Sequence, residues 1–339
     1  MNKEELYIVT NESFNSENDS FFCDNIDLKS IPEELNKYCK VNIIGRKSKI
    51  KKSKVVKAST INVFGNIFSF LTCVLNSAAK KKVNYLIISI SPYTFFASII
   101  LKILSQKHFI YLRSDGYEEY KSILGFCGPF IYHIMFTIAC YRSDLISCRK
   151  HILKNKKGKI VHPSQLNDKW LNLKNQLKHK KMNLLYVGRL RVEKGIFSLL
   201  KMLENTNLEL TIITSEKKFS LDNKNKNVSI VSFQNYNDTI IKFYDEHSIF
   251  ILPSYTEAHP QVLDEALARR RPVIIFKEIS HVVRNREGIF ISERNINSLS
   301  KTIDHIANNY DKITSAIQKN TLPTKANFIN ELKNIILSN

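Results

Sequence analysis

Two glutamates and three cations, gathered in two short segments, are the residues whose types and spacing can do chemistry. The first segment, YTEAHPQVLDEALARRRPVIIF (255–276), sets Glu257 and Glu265 either side of an expected helix start. Pro260 suits the first helical position, where a missing N–H costs nothing. Glu265 then lies about five residues into the helix, roughly 7–8 Å further along at ~1.5 Å per residue. That separation suits two ends of one elongated ligand, and the helix N-terminus offers free N–H groups to an anion between them. The second segment, MNLLYVGRLRVEKGIFSLL (182–200), carries Arg189, Arg191 and Lys194 between a strand ended by Gly188 and a helix. A cation pair at one strand's carboxyl end, facing a helix N-terminus from another, suits a diphosphate.

The elements that must position these groups are legible around them. SIFILPS (248–254) and PVIIF (272–276) read as buried strands. Glu257 therefore sits in a strand-to-helix loop at the carboxyl edge of a parallel sheet, where α/β proteins bind ligands. Strands are expected near 5–10, 40–45, 85–91, 108–114, 144–148 and 159–163, then near 182–188, 208–214, 228–233, 248–254, 272–276 and 288–292. Helices fall between them, giving two α/β halves of Rossmann-like type. QLNDKWLNLKNQLKHKK (165–181) reads as a polar connection and FINELKNIIL (328–337) as a tail helix. No G-x-G-x-x-G occurs, and a chain with 9 glycines fits dinucleotide redox chemistry poorly.

Together the two segments resemble the donor half of the family 4 (group 1) glycosyltransferases, retaining enzymes of the GT-B fold. The matching motifs are G-R-L…E-K-G (Gly188, Arg189, Leu190, Glu193, Lys194, Gly195) and the E-x7-E pair Glu257/Glu265 within P-S-x-x-E-x-x-P. The likeness covers most of residues 182–295 and is specific as a combination. Taken singly, two glutamates near a helix start read as dipole-favoured surface charges and loop cations as solvated ones. The resemblance implies two doubly wound Rossmann-like domains facing across a cleft. An acceptor-binding domain would span 1–165, a linker 166–181 and a nucleotide-sugar-binding domain 182–310, with a helical tail at 311–339 packing back on the first domain.

The resemblance also implies roles. Arg189 and Lys194 hold the donor's diphosphate and stabilise the charge that develops as the sugar leaves. Glu257 touches hydroxyls of the donor sugar, while the backbone around Ala258, His259, Pro260 and Gln261 cradles phosphate. His259 stands where an aromatic residue is common, and is expected to stack on the sugar or touch phosphate. Glu265 accepts hydrogen bonds from the ribose diol. On the acceptor side, YLRSDGYEEYK (111–121) places Asp115 to orient hydroxyls and Arg113 to meet an anion, and His162 ends the last strand of this half. Asp115 reads equally as a helix cap before Gly116. Glycine is missing from three places where relatives carry it: TNESFNSENDS after the first strand, ITSEKK (213–218) and SFQNYND (232–238). The base of the nucleotide is left open by those changes.

A chain of 339 residues with 43% hydrophobic residues can build two cores. Its charge is uneven. Residues 1–180 carry net +15 of the total +20, and residues 35–114 hold 15 Lys+Arg and no acid. The densest runs are RKSKIKKSKVVK (46–57) and KKK (80–82). Generic surface solvation would affect both halves alike, and no nucleic-acid-binding signature accompanies the charge. Adsorption to an anionic membrane fits best. LIISISPYTFFASIILKIL (86–104) is near membrane-spanning length but is divided by Pro92. LGFCGPFIYHIMFTIACY (124–141) reads as a loop into a buried or interfacial helix, and INVFGNIFSFLTCVL (61–75) as a core or membrane-facing helix. Six scattered cysteines without C-x-x-C read as thiols of a reducing compartment. Glu4 and Glu5 precede only a short strand, so no secretory signal is expected and the cytoplasm is the expected compartment.

The expectation is a metal-independent, cofactor-free transfer of a sugar from a UDP- or GDP-type donor to a lipid-linked or saccharide acceptor in cell-surface polysaccharide or lipopolysaccharide biosynthesis. Its expected partners include an anionic membrane surface and no nucleic acid. The alternative is a catalytically silent GT-B-like binding protein.

Overall fold

The computed structural model describes residues 4–79, 83–173, 181–216, 226–232, 239–257 and 259–337. The chain divides into two compact units, Met1–His162 with Ala326–Asn339, and Pro163–Lys325.

In the first unit the strands are β1 (Glu5–Glu17), β2 (Ser20–Cys23), β3 (Lys40–Lys47), β4 (Lys54–Val56), β5 (Thr60–Phe64), β6 (Val83–Ile88), β7 (His108–Leu112), β8 (Asp144–Ser147) and β9 (Lys159–Ile160). Parallel pairing gives the order β5-β3-β1-β6-β7-β8-β9, which reverses direction between β1 and β6. Alternate residues face opposite sides. Leu6, Ile8, Leu86 and Ile88 meet the helices Ile26–Leu35 and Lys325–Ile336 through Leu28, Ile31, Phe328 and Leu332. Tyr7 and Tyr85 stack on the other side, where the Tyr85 hydroxyl reaches Ser77 Oγ of the helix Ile67–Ala78 at 3.1 Å. Helices Pro92–Ile103, Gly116–Leu124 and Gly128–Cys140 follow β6 and β7.

The first strand departs from the sequence reading. It does not stop near residue 10 but shifts register between Val9 and Ser13, runs on to Glu17, and turns back into β2. Asn18 and Asp19 make that turn with φ of 46° and 57°, the pair of positive angles a two-residue hairpin favours. The glycine-free segment is thus a β-hairpin, with β4 added antiparallel to β2. A helix over 61–75 is corrected too: Thr60–Phe64 pairs with β3 and the helix begins at Ile67, capped by Asn66.

The second unit holds β10 (Leu184–Val187), β11 (Leu210–Thr214), β12 (Val228–Ser232), β13 (Ile249–Leu252), β14 (Val273–Phe276) and β15 (Ile289–Ser292). All pair in parallel, in the order β12-β11-β10-β13-β14-β15. Strand order reverses between β10 and β13, and the carboxyl ends at such a switch point form a ligand crevice. The two motif segments follow these two strands.

The connection 166–181 is not a free linker over its described part. Leu166 and Trp170 are buried in the second unit's core, with the Trp170 ring 5.4 Å from Tyr244. Buried Arg269 donates to the carbonyls of Lys169, Trp170 and Asn172 and forms a two-point pair with Asp245. Residues 174–180 lie outside the described residues. The tail also divides later than residue 311: Ile313 and Ile317 belong to the second core, and only the helix Lys325–Ile336 packs in the first.

Candidate active site

The loops after β10 and β13 are stitched into one structure. Tyr255 N–H donates to the Glu193 carbonyl at 3.0 Å. Gly195 takes φ 66°, and a Cβ there would stand 1.8 Å from the Pro253 carbonyl oxygen. Glycine is required twice over, for the left-handed backbone and for the close approach. The result puts Lys194 Nζ 2.6 Å from Glu257 Oε1, with both side chains largely sheltered. Ser254 Oγ donates to the same oxygen at 2.7 Å. His281 Nε2 lies 2.8 Å from the Glu257 carbonyl. Glu257 Oε2 has no hydrogen-bond partner among the described residues, and an ammonium carries three donors. The pair therefore keeps donors on Lys194 and an acceptor on Glu257 for a ligand.

Gly188 lets the preceding turn close. A Cβ there would meet the Tyr186 hydroxyl at 2.6 Å, and that hydroxyl instead donates to the Arg189 carbonyl at 2.8 Å. Burial pushes the Tyr186 phenol up, with Glu257 adding to the shift, so it stays a neutral donor. The Arg189 side chain is exposed, its turn fixed through the main chain. Arg191 lies 3.8 Å from Glu216.

The helix Gln261–Ala268 begins without a side-chain cap, because Pro260 occupies the cap position rather than the first helical one. The Leu263 N–H turns back to the Pro260 carbonyl at 3.1 Å, which leaves the amides of Gln261 and Val262 in the position where helix starts receive anions. One turn in, Glu265 is 4% exposed and accepts from the Tyr244 hydroxyl at 2.8 Å. His259 corrects the sequence reading. Its side chain is buried, with Nε2 2.7 Å from the Pro163 carbonyl and 3.5 Å from Asp264. It anchors the loop and is not poised to stack on a sugar. Asp264 also pairs with Arg286. Ala258 lies outside the described residues, as do parts of the glycine-free segments 213–218 and 232–238.

Sequence reasoning missed Tyr244, Tyr186 and Arg294. Only Ser254, inside P-S-x-x-E, carried a signal. Arg294 follows β15 and lies between the rings of Tyr255 and Phe276, 4.1 and 4.4 Å from their centroids. It donates to the Pro253 carbonyl at 3.0 Å and to Glu278 at 2.8 Å. It thereby ties the loops after β13, β14 and β15 together. The Arg294 hydrogen bond holds the Glu278 carboxyl below its usual range.

In the first unit, Asp115 caps the helix Gly116–Leu124 through Tyr117 N–H and pairs with Lys154 at 2.8 Å. The cap reading is the one seen. Arg113 stands 3.2 Å from buried Asp27 and 3.9 Å from Glu12. Desolvation opposes its charge, but Asp27 and its neighbours outweigh that and hold the guanidinium above its usual pKa. His162 pairs with Glu331 of the tail helix at 3.0 Å. All three candidates are already engaged within their own unit.

Residues 168–322 match the family described as glycosyl transferases group 1. An uncharacterised glycosyltransferase of Haemophilus influenzae is 31% identical over 151 residues, 40% of this chain and 42% of that protein. The capsular polysaccharide biosynthesis glycosyltransferase CapM of Staphylococcus aureus is 27% identical over 137 residues, 36% of each. These alignments span about two fifths or less of the relatives' lengths. The whole chain shares its fold with solved structures that include a glycosyltransferase. WaaG, involved in lipopolysaccharide biosynthesis, matches with TM-score 0.69 at 13% identity over 98% of this chain and 100% of that one. Anabaena HepE, solved with UDP and glucose, matches with TM-score 0.67 at 13% identity over 99% and 100%. The fold is GT-B: two Rossmann-like units, the second of which contains the segment that matches the group 1 model.

Proposed function

We propose that the protein is a nucleotide-sugar-dependent glycosyltransferase that transfers a sugar with retention to an acceptor hydroxyl. The observation that carries this reading is the Lys194–Glu257 pair at the switch point, beside an uncapped helix that buries Glu265 one turn in. Lys194, Arg189 and the first amides of Gln261–Ala268 bind the donor's diphosphate. They stabilise the charge that grows on the leaving nucleoside diphosphate, which makes a divalent metal unnecessary. Glu257 Oε2 accepts from a donor hydroxyl, and Glu265 accepts from the ribose diol, steadied by Tyr244. The acceptor oxygen attacks the anomeric carbon as the C–O bond to the diphosphate breaks. A donor phosphate oxygen taking the acceptor proton on the same face needs no protein nucleophile.

HepE was solved with UDP and with UDP-glucose, which favours a donor of UDP type, with GDP the other candidate. The naming of CapM for capsular polysaccharide and of WaaG for lipopolysaccharide supports a cell-surface glycan setting. The acceptor is lipid-linked or saccharide, bound at the carboxyl edge of the first unit's sheet near Arg113 and Asp115. The protein works in the cytoplasm at the inner face of the membrane. Turnover assays with UDP- and GDP-sugars, run on wild type and Glu257→Ala, test the reading. Donor-dependent release of nucleoside diphosphate lost in the variant supports it, and the same release from both overturns it.

A further inference from the structure

The helices Gly116–Leu124 and Gly128–Cys140 form an antiparallel hairpin rather than one rod. As a single stretch, Gly116–Cys140 is 25 residues long and apolar enough to cross a membrane. The backbone breaks at Gly125, with φ 63° and ψ −140°. Tyr117 and Tyr120 then lay their rings against Tyr132, with centroids 4.9 and 5.2 Å apart. A Cβ at Gly128 would stand 2.0 Å from the Tyr120 carbonyl, so that glycine lets the two helices meet. Residues 132, 135, 136 and 139 turn inward and are buried.

The outer surface is apolar as well. Phe126 at the tip is 98% exposed, Ile123 71% and Phe130 68%. Ile134 and Ile138 continue the Phe130 row at helical spacing, both exposed. From Ser122 to Tyr141 there is no Asp, Glu, Lys or Arg. A contiguous exposed apolar face marks an interaction site. Its borders are cationic: Lys121 and Arg142 flank the stretch, and Lys102 reaches from Pro92–Ile103 to the carbonyls of Ile138 and Ala139. The hairpin's acidic residues, Glu118 and Glu119, lie in its first turn, away from the tip. By contrast, Lys51, Lys52 and Lys57 of the run 46–57 are paired with Glu17, Asp24 and Glu33.

We infer that this hairpin, with Phe126 leading, seats the protein on an anionic bilayer. Ile123, Phe126, Phe130, Ile134 and Ile138 lie among the acyl chains, and Lys121 and Arg142 lie at the headgroups. The inference rests on the membrane setting of the function above and names the element that makes contact. An apolar strip edged with cations is the form interfacial segments take.

The test uses the full chain and phosphatidylcholine vesicles with or without phosphatidylglycerol. Recovery by flotation is expected with the anionic vesicles and to fall at least tenfold in the double variant Phe126→Glu, Phe130→Glu. A polarity-sensitive fluorophore on exposed Cys127, in a Cys73→Ser background, is expected to shift to the blue with the same vesicles and requires no change to the apolar row. Equal recovery of the double variant, equal recovery on neutral vesicles, or an unmoved fluorophore overturns the inference. So does a concentration-dependent dimer that the double variant abolishes without any flotation, since a second copy then covers the face. Nucleotide affinity measured on the same double variant reports separately on the glycosyltransferase reading.

Discussion

The Lys194 ammonium lies 2.6 Å from Glu257 Oε1, joining residues 63 positions apart in the chain. The contact depends on the order of the sheet, because β10 and β13 are neighbours only where strand order reverses. Replacing Lys194 by Ala removes the proposed diphosphate contact and leaves Glu257 sheltered without its cation. Turnover is expected to fall ~10²-fold or more, the scale of one lost electrostatic stabiliser. Arg189→Ala should fall by a similar factor. Steady-state kinetics should place the loss mainly in kcat, and near wild-type values would remove the assigned roles.

Glu265 and Tyr244 carry a second prediction. Their buried 2.8 Å bond orients the carboxylate proposed above to receive the ribose. Glu265→Gln should weaken nucleoside diphosphate binding about tenfold, a charged hydrogen bond contributing roughly 1.5–3 kcal/mol. A 2′,3′-dideoxy nucleotide should bind wild type and variant alike. Calorimetry with both ligands separates this role from a general loss of fold.

Arg294 is expected to act as a positioning residue. Arg294→Ala leaves Tyr255 and Phe276 without the cation between them and frees the Pro253 carbonyl. KM for the donor should rise more than kcat falls. Lysine should not restore it, because an ammonium cannot stack as a planar guanidinium does. Equal effects on both constants, or rescue by lysine, would contradict the stacking account.

Much of this was legible in the chain. The apolar runs marked every parallel strand of the second unit, and G-R-L…E-K-G with P-S-x-x-E placed both loops after the correct strands. What was illegible follows from long-range pairing. Nothing local marks Tyr244 as the partner of Glu265, or Arg294 as a wedge between two rings. The β1–β2 hairpin escaped notice because its turn uses Asn18 and Asp19 in place of glycine. His259 was read as a ligand contact, yet its partners, Pro163 and Asp264, include one 96 residues away.

Stability should fall on the acid side of neutrality through buried histidine. His108 is held between the Gln106 carbonyl and Ser143 Oγ, each at 2.9 Å. Burial lowers its pKa below the ordinary 6.5. Above 6.5 it is neutral in folded and unfolded chains and its contribution is complete. Below that value the unfolded chain takes the proton first, so stability is lost as pH falls through the folded pKa. His247 is lowered by burial in the same direction. Urea midpoints between pH 7.5 and 5 should drop less steeply in His108→Gln than in wild type; equal slopes would exclude His108 as a contributor.

The measurement that bears most directly on the whole account is calorimetric titration of the wild-type chain and of Lys194→Ala with UDP, GDP and ADP. The account predicts that UDP or GDP binds wild type and that the variant loses at least tenfold in affinity. Failure of all three nucleotides to bind wild type, or equal binding by the variant, would contradict it.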